Sequence, residues 1–313
     1  PEVTRATDPS QTHLKMLNEQ SLLVKFEDMQ ENDGRAIYKN TQLDLRQYEN
    51  LKMFIHAEAL PGEETELQDD DITAFIRIGS DYQNNYYEYE LPLKVTEPGK
   101  YNGGSLDDQK EVWPVSNEIR VPVQDFVNLK VARNKAMDED PNNVSSQSIF
   151  AMPNIYVDED GKEQTRLIKV KGNPNLSNIR QIMIGVRNPG DEFNGIDNDG
   201  LPKSAEIWFN ELRLTDFTNE GGWAANGRVQ AKLADLGIIN FAGATSKAGF
   251  GSIEQKSEER QKEEINQMDV SSNLELGKFF PEKAKVSVPF YVGYSNTTIN
   301  PLYYPKDPDR KLA

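Results

Sequence analysis

Acidic turns are the places in this sequence where residue type and spacing could hold a ligand. "IDNDG" (Ile196 to Gly200), "DEDG" (Asp158 to Gly161), "DDD" (Asp69 to Asp71) and "DEDPNN" (Asp138 to Asn143) each gather carboxylates beside turn-forming residues. The strongest is Asp197 with Asp199 ahead of Gly200, since Ca2+ takes oxygens from alternate positions of a tight loop. The pattern stops short of an EF-hand: position 195 is Gly, and no distal glutamate completes the ligand set. A solvated acidic turn is the simpler expectation, with a structural Ca2+ on Asp197 and Asp199 as its alternative. No other cofactor is expected.

Catalysis has less to build on. Carboxylate pairs can be drawn anywhere among 51 acidic residues, so pairing alone does not indicate glycoside hydrolysis. There is no cysteine to act as thiol nucleophile or thiolate ligand. The two histidines are His13, in a polar leading segment, and His56, on the more polar face of a strand; neither belongs to a Ser/His/Asp motif. No GxxxxGK[ST] phosphate loop is present, so any work must be powered from elsewhere. The expectation is a protein that is not an enzyme. Tyr82, Tyr86, Tyr87 and Tyr89, with Trp113 and Trp208, could stack on sugars, although tyrosines along a strand more often form cross-strand pairs.

The elements that must position these residues are mostly strands. "SLLVKFEDM", "LKMFIHAEAL", "DITAFIRIGSD" and "NYYEYELPL" alternate apolar and polar residues with period two, as do "TRLIKVKG", "IRQIMIGVRNP" and "SAEIWFNELRLTDF". Between Pro122 and Ala136 the period changes: Val123, Phe126, Val127, Lys130 and Val131 recur at helical spacing behind a first-turn proline. Residues 1–20 read as an entry linker. Residues 21–217 read as a jelly-roll β-sandwich with one inserted helix, similar to carbohydrate-binding modules. Charge marks a boundary after them. Of 51 acidic and 35 basic residues, 12 of each fall in 218–313, so the net −16 belongs to the first part. That balance argues against nucleic acid as a partner.

Residues 218–313 read as four antiparallel strands of a large outer-membrane β-barrel, with a long polar loop over 252–269. The strand "AKVSVPFYVGYS" places Val286, Val288, Phe290, Val292 and Tyr294 on one apolar face, expected to meet outer-membrane lipid. Pro289 counts against it, because a proline removes a ladder donor. Phe279, Phe280, Tyr303 and Tyr304 could form an interfacial girdle. No apolar run approaches the roughly 20 residues of a membrane helix, which leaves a barrel open. With Pro at position 1 and no signal-like segment, the sequence reads as a fragment. Four strands cannot close a barrel.

Several stretches together resemble one family. "FIRIGSDYQNNYYEYELPLKV", "AEIWFNELRLTDF" and above all "GFGSIEQKSEER" with "SNLELGKFFPEKAKVSVPFYVGYSNTTINPLYYP" are similar to an internal section of the SprA/Sov family. The resemblance implies a giant outer-membrane translocon of the Bacteroidetes type IX secretion and gliding-motility system. It also implies partners: secreted cargo with a C-terminal secretion signal, a PorV-type outer-membrane barrel and a periplasmic plug protein. It supplies no catalytic residue. Tight turns of such barrels face the periplasm, so the turns at Asp235–Gly237 and Pro281–Lys283 are expected there, with the loop around Ser257 and the jelly-roll outside the cell. The alternative is a secreted or surface-attached glycan-binding β-sandwich.

Overall fold

Period-two alternation broken by turn residues folds this chain into antiparallel sheets. The computed structural model describes residues 2–4, 20–60, 67–157, 161, 163–190, 199–218, 220–256 and 259–312. Its elements in chain order are β1 (Glu2–Thr4), β2 (Leu22–Met29), β3 (Gly34–Leu43), β4 (Tyr48–Ala59), β5 (Thr73–Gly79), β6 (Tyr86–Pro92) and β7 (Lys100–Asn102). Next come α1 (Leu106–Val112), β8 (Ile119–Pro122), α2 (Val123–Glu139), β9 (Phe150–Val157), β10 (Glu163–Lys171), β11 (Ile179–Arg187) and β12 (Lys203–Phe217). The last are β13 (Ala224–Leu233), β14 (Gly237–Ser246), β15 (Glu263–Glu275), β16 (Pro289–Pro301), β17 (Tyr303–Tyr304) and β18 (Asp307–Lys311). The chain divides into two compact units, residues 1–217 and 218–313.

The first unit layers a six-stranded sheet, ordered β3-β11-β5-β6-β10-β9, on a four-stranded sheet ordered β2-β12-β4-β8. Alternation decides which side chains meet between them. Leu51, Met53, Ile55 and Ala57 of β4, with Ala205, Ile207 and Phe209 of β12, join Ala74, Ile76, Ile78, Tyr87, Tyr89, Ile168 and Val170 of the facing sheet in one buried cluster. Helix α2 closes it, its Phe126 fully buried and 5.3 Å from the Tyr87 ring. Pro122 caps α2 from outside, where its missing N–H costs nothing.

Elements β3, β8, β9 and α1 add to what the sequence pattern showed. Strand β9 carries Pro153 and survives by lying at a sheet edge. Strand β8 is four residues long, too short for alternation to register. Helix α1 is a polar single element started by Ser105, whose hydroxyl accepts from the Asp108 N–H.

The second unit is an open sheet, β13-β14-β15-β16, with continuous antiparallel register and no closure among the described residues. The turn between β13 and β14 is tight: the Leu236 N–H donates to Leu233 O, and Ala234 sits at φ 50°. A Cβ on Gly237 would lie 2.1 Å from Asn273 O, so only glycine fits where β14 meets β15.

Two expected boundaries move. The polar run 252–269 is not one loop, because β15 begins at Glu263 and the connection covers 247–262. Ladder bonds to both neighbours impose strand geometry there whatever the composition. Strand β16 begins at Pro289, so Val286 and Val288 fall in the connection before it. The expected turn at 281–283 is part of a longer connection over 276–288 containing two short 3-10 turns, Leu276–Phe279 and Glu282–Ala284. Pro289, as the first residue of β16, does not interrupt the ladder.

Candidate functional site

Residues paired across an antiparallel ladder share a face, so the register of the second unit sorts its side chains into two surfaces. One face is built of rows. Leu233, Gly237, Leu274 and Phe290 form the first; Ala231, Ile239, Ser272 and Val292 the second; Val229, Phe241, Val270 and Tyr294 the third; Gly227, Gly243, Met268 and Asn296 the fourth. Beyond them the row Ala225, Thr245, Asn266 and Thr298 turns polar, and the Thr245 hydroxyl donates to Asn266 Oδ1 at 2.7 Å. Val229, Phe241, Phe290, Val292 and Tyr294 are all exposed, Val229 by 64% and Tyr294 by 58%. At about 3.4 Å per residue the four rows span about 20 Å along the strands.

The opposite face is hydrophilic across its middle, while its end rows carry Ile238 and Tyr291 on one side and Ile265 and Ile299 on the other. Its central row, Gln230, Asn240, Ser271 and Gly293, is a hydrogen-bond ladder: Gln230 Nε2 donates to Asn240 Oδ1 at 2.9 Å, and Asn240 Nδ2 to Ser271 Oγ at 3.4 Å. The next row is Arg228, Ala242, Asp269 and Ser295.

The end carrying the tight turn is stitched by charge. Lys278 pairs with Asp235 at 2.9 Å, and this hydrogen bond holds the Asp235 carboxyl below its usual range. The Glu275 carboxylate accepts from Gly277 N at 3.2 Å, Ser287 Oγ at 2.9 Å and Val288 N, fixing both ends of the 276–288 connection. Phe279 and Phe280 are exposed at this end. Trp223, whose carbonyl accepts from Lys247 N, is exposed at the other, as is Tyr304, whereas Tyr303 is buried. Trp223 escaped the sequence reading because it precedes its strand.

The other candidate residues are spread over the first unit. Asp197 lies outside the described residues, as do Asp158 and Ser257. Asp199 accepts from Leu201 N at 2.9 Å and from the Lys203 ammonium, which also reaches Asp71 at 2.9 Å. The hydrogen bond from Lys203 lowers the Asp199 pKa, so a metal ion there would compete with a resident ammonium. Asp69 and Asp140 spend a carboxylate oxygen on the backbone N–H groups of Val95 and Asn143. Among the described residues, no group of three or more His, Asp or Glu side chains is arranged to hold a metal ion. His56 is fully buried, its Nδ1 donating to Val112 O at 2.7 Å, its Nε2 3.9 Å from a Glu58 oxygen and its ring 4.6 Å from Trp208. The tyrosines form no common platform: Tyr87 and Tyr89 enter the core, Tyr86 lies under Arg77, and Tyr82 pairs with Tyr38 at 4.9 Å.

A family model described as motility related/secretion protein, SprA_N, matches residues 1–313. The chain belongs to this family. Its function is one of motility or secretion. Among curated proteins, nothing matches the chain. The two-faced sheet is the feature of the second unit that such a role can use: one surface suited to an apolar medium, the other to water.

Proposed function

We propose that the chain is a non-catalytic part of an outer-membrane protein-conducting translocon, with residues 218–313 forming a segment of barrel wall. The observation that carries this reading is the exposed apolar face of β13–β16 backed by a polar ladder. A membrane strand needs roughly 9–11 residues, and an outer-membrane barrel shows lipid an apolar band about 25 Å tall. In lipid, β13 and β16 must pair with further strands, since an open edge would leave backbone groups unsatisfied. Phe290, Val292 and Tyr294 then face lipid within the strand, with Val286 and Val288 in the flanking connection. The ladder face turns to a wet route for secreted cargo carrying a C-terminal signal. A PorV-type barrel and a periplasmic plug protein are the proposed partners. Asp197 and Asp199 remain a proposed structural Ca2+ site in the cap.

Sidedness follows from the turns. The tight turn between β13 and β14 belongs in the periplasm, which puts the 247–262 connection outside. Because the chain enters β13 at that outer end, the first unit is an extracellular cap. The sequence has no cysteine, which makes the test direct. In an otherwise cysteine-free background, Lys256→Cys, Asn142→Cys and Glu282→Cys are exposed separately to a membrane-impermeant maleimide on intact cells. Labelling at 256 and 142 but not 282 is the expected result. Labelling at 282 alone reverses the topology, and equal labelling at all three removes the membrane reading.

A further inference from the structure

At the end of the second unit that carries the 247–262 connection, the hydrophilic face is hollowed into a trough. Its floor is a line of small side chains on β14, Ser246, Ala244 and Ala242, and its walls are β13 and β15. In one row Asn226 and Gln267 stand on either side of Ala244; in the next Arg228 and Asp269 stand on either side of Ala242. Neighbouring strands lie about 4.8 Å apart, so the two walls are about 10 Å apart. Ile265 and Phe250, the latter 42% exposed, border the end nearest the connection. The hollow there measures about 480 Å3 and runs on into a second of about 230 Å3, with Asn226, Ala244 and Gln267 common to both. The first alone falls within the roughly 300–1,000 Å3 of ligand sites.

The polar groups of the walls are unspent. The row beyond them ties Gln230, Asn240 and Ser271 to one another, whereas the side chains of Asn226, Gln267, Arg228 and Asp269 make no hydrogen bond or ion pair with any described residue. Phe250 is held in place by its backbone, its N–H donating to Lys247 O at 3.2 Å and its carbonyl accepting from Gln261 N at 3.1 Å. These groups select a ligand's chemistry. Each carboxamide offers a donor and an acceptor together, which matches the N–H and C=O that each residue of an extended peptide presents. A small ion of either sign would meet its like charge on one wall, at Arg228 or at Asp269. A dipolar chain without net backbone charge meets no such penalty. The trough also follows β14 rather than closing round a compact ligand: from Ser246 to Ala242 is about 14 Å, the reach of about four extended residues.

We infer that this trough is a sequence-independent handhold for exported polypeptide. Asn226 and Gln267 hydrogen-bond the backbone of about four extended residues, Arg228 and Asp269 receive charged side chains of either sign, and Phe250 receives an apolar one. The inference rests on the proposed wet route along this face and names what the route grips. The test places the photoreactive residue p-benzoylphenylalanine at Gln267, on the trough wall, or at Thr297, its ladder partner on the same face outside the trough, in the full-length protein of secreting cells. Irradiation is expected to join position 267, and not 297, to proteins that otherwise reach the culture supernatant, through segments that mass spectrometry shows to be unrelated in sequence. Ala244→Trp fills the floor without replacing any of the four polar groups, and should abolish the adduct at 267 while the protein stays in the membrane fraction. Should Ala244→Trp fail to assemble, the comparison of 267 with 297 decides alone. Equal adducts at 267 and 297 overturn the handhold and leave the wet route standing, whereas adducts at neither position overturn both. The handhold is also overturned if the adduct at 267 persists in assembled Ala244→Trp, if it forms with a resident membrane or periplasmic protein instead, or if every crosslinked segment shares one sequence motif.

Discussion

Glu88 shows how a single side chain ties the first unit to pH. Burial alone would raise its pKa, but Arg187, then Lys169 and Arg77, reverse that and hold it at about 2, against the ordinary 4.5 of a glutamate. A carboxyl depressed in the folded state contributes stability that is fully present above its unfolded pKa and is lost as pH falls through the folded one. Acid should therefore weaken the first unit between about pH 4.5 and 2. Glu88→Gln removes one carboxylate and leaves Glu90, which among the cations contacts only Lys169 and Arg187, as the one carboxylate for three of them. It is expected to cost about 3–5 kcal/mol at neutral pH. That penalty should shrink toward pH 2, where the native side chain is itself about half protonated. Urea titrations followed by tryptophan fluorescence at the two pH values measure both. A penalty independent of pH would show that the network owes its stability to packing instead.

At the level of elements, the positions of prolines and glycines carry the argument. Pro289 opens β16 and leaves the ladder intact, so Pro289→Ala should change stability by less than about 0.5 kcal/mol. Ser271→Pro places the same residue in the middle of β15, which pairs on both sides. The loss of a ladder bond and the stranding of its acceptor should cost at least about 1–3 kcal/mol. Gly237→Val drives a side chain into the Asn273 carbonyl and should disrupt the β14–β15 register, read as lost amide-exchange protection across both strands. In the first unit the comparable element is α2. Phe126→Ala opens a cavity beside Tyr87 and should destabilise by about 3–5 kcal/mol in chemical denaturation.

For the whole molecule, the two faces of the second unit should differ in their tolerance of charge. A lysine at the bilayer midplane on a barrel's lipid face costs about 2–4 kcal/mol, while a lumen-facing position tolerates it. Val292→Lys is therefore expected to deplete the protein from the outer-membrane fraction and to reduce secretion. Asn240→Lys, on the ladder face, should leave both near the native level. Immunoblots of membrane fractions and of culture supernatants make the comparison. Equal tolerance at the two positions would mean that neither face meets lipid.

Local pattern was enough for much of this. Alternation located β2, β4 to β6 and β10 to β14, helical spacing located α2, and the motifs from Gly249 to Pro305 pointed to the family, because each signal lies within a few neighbouring residues. The alternation of Phe290, Val292 and Tyr294 was legible in the same way. That they form one surface with Val229, Ile239 and Phe241 was not, since strand register is set by pairing between distant segments. The same reason hid the polar start of β15, whose strand geometry comes from its neighbours rather than its composition. It also hid the charge network: Arg77, Glu88, Lys169 and Arg187 look like ordinary solvated residues along four separate strands. Only the sheet order β11-β5-β6-β10 brings them side by side, and only burial turns four scattered charges into one cluster.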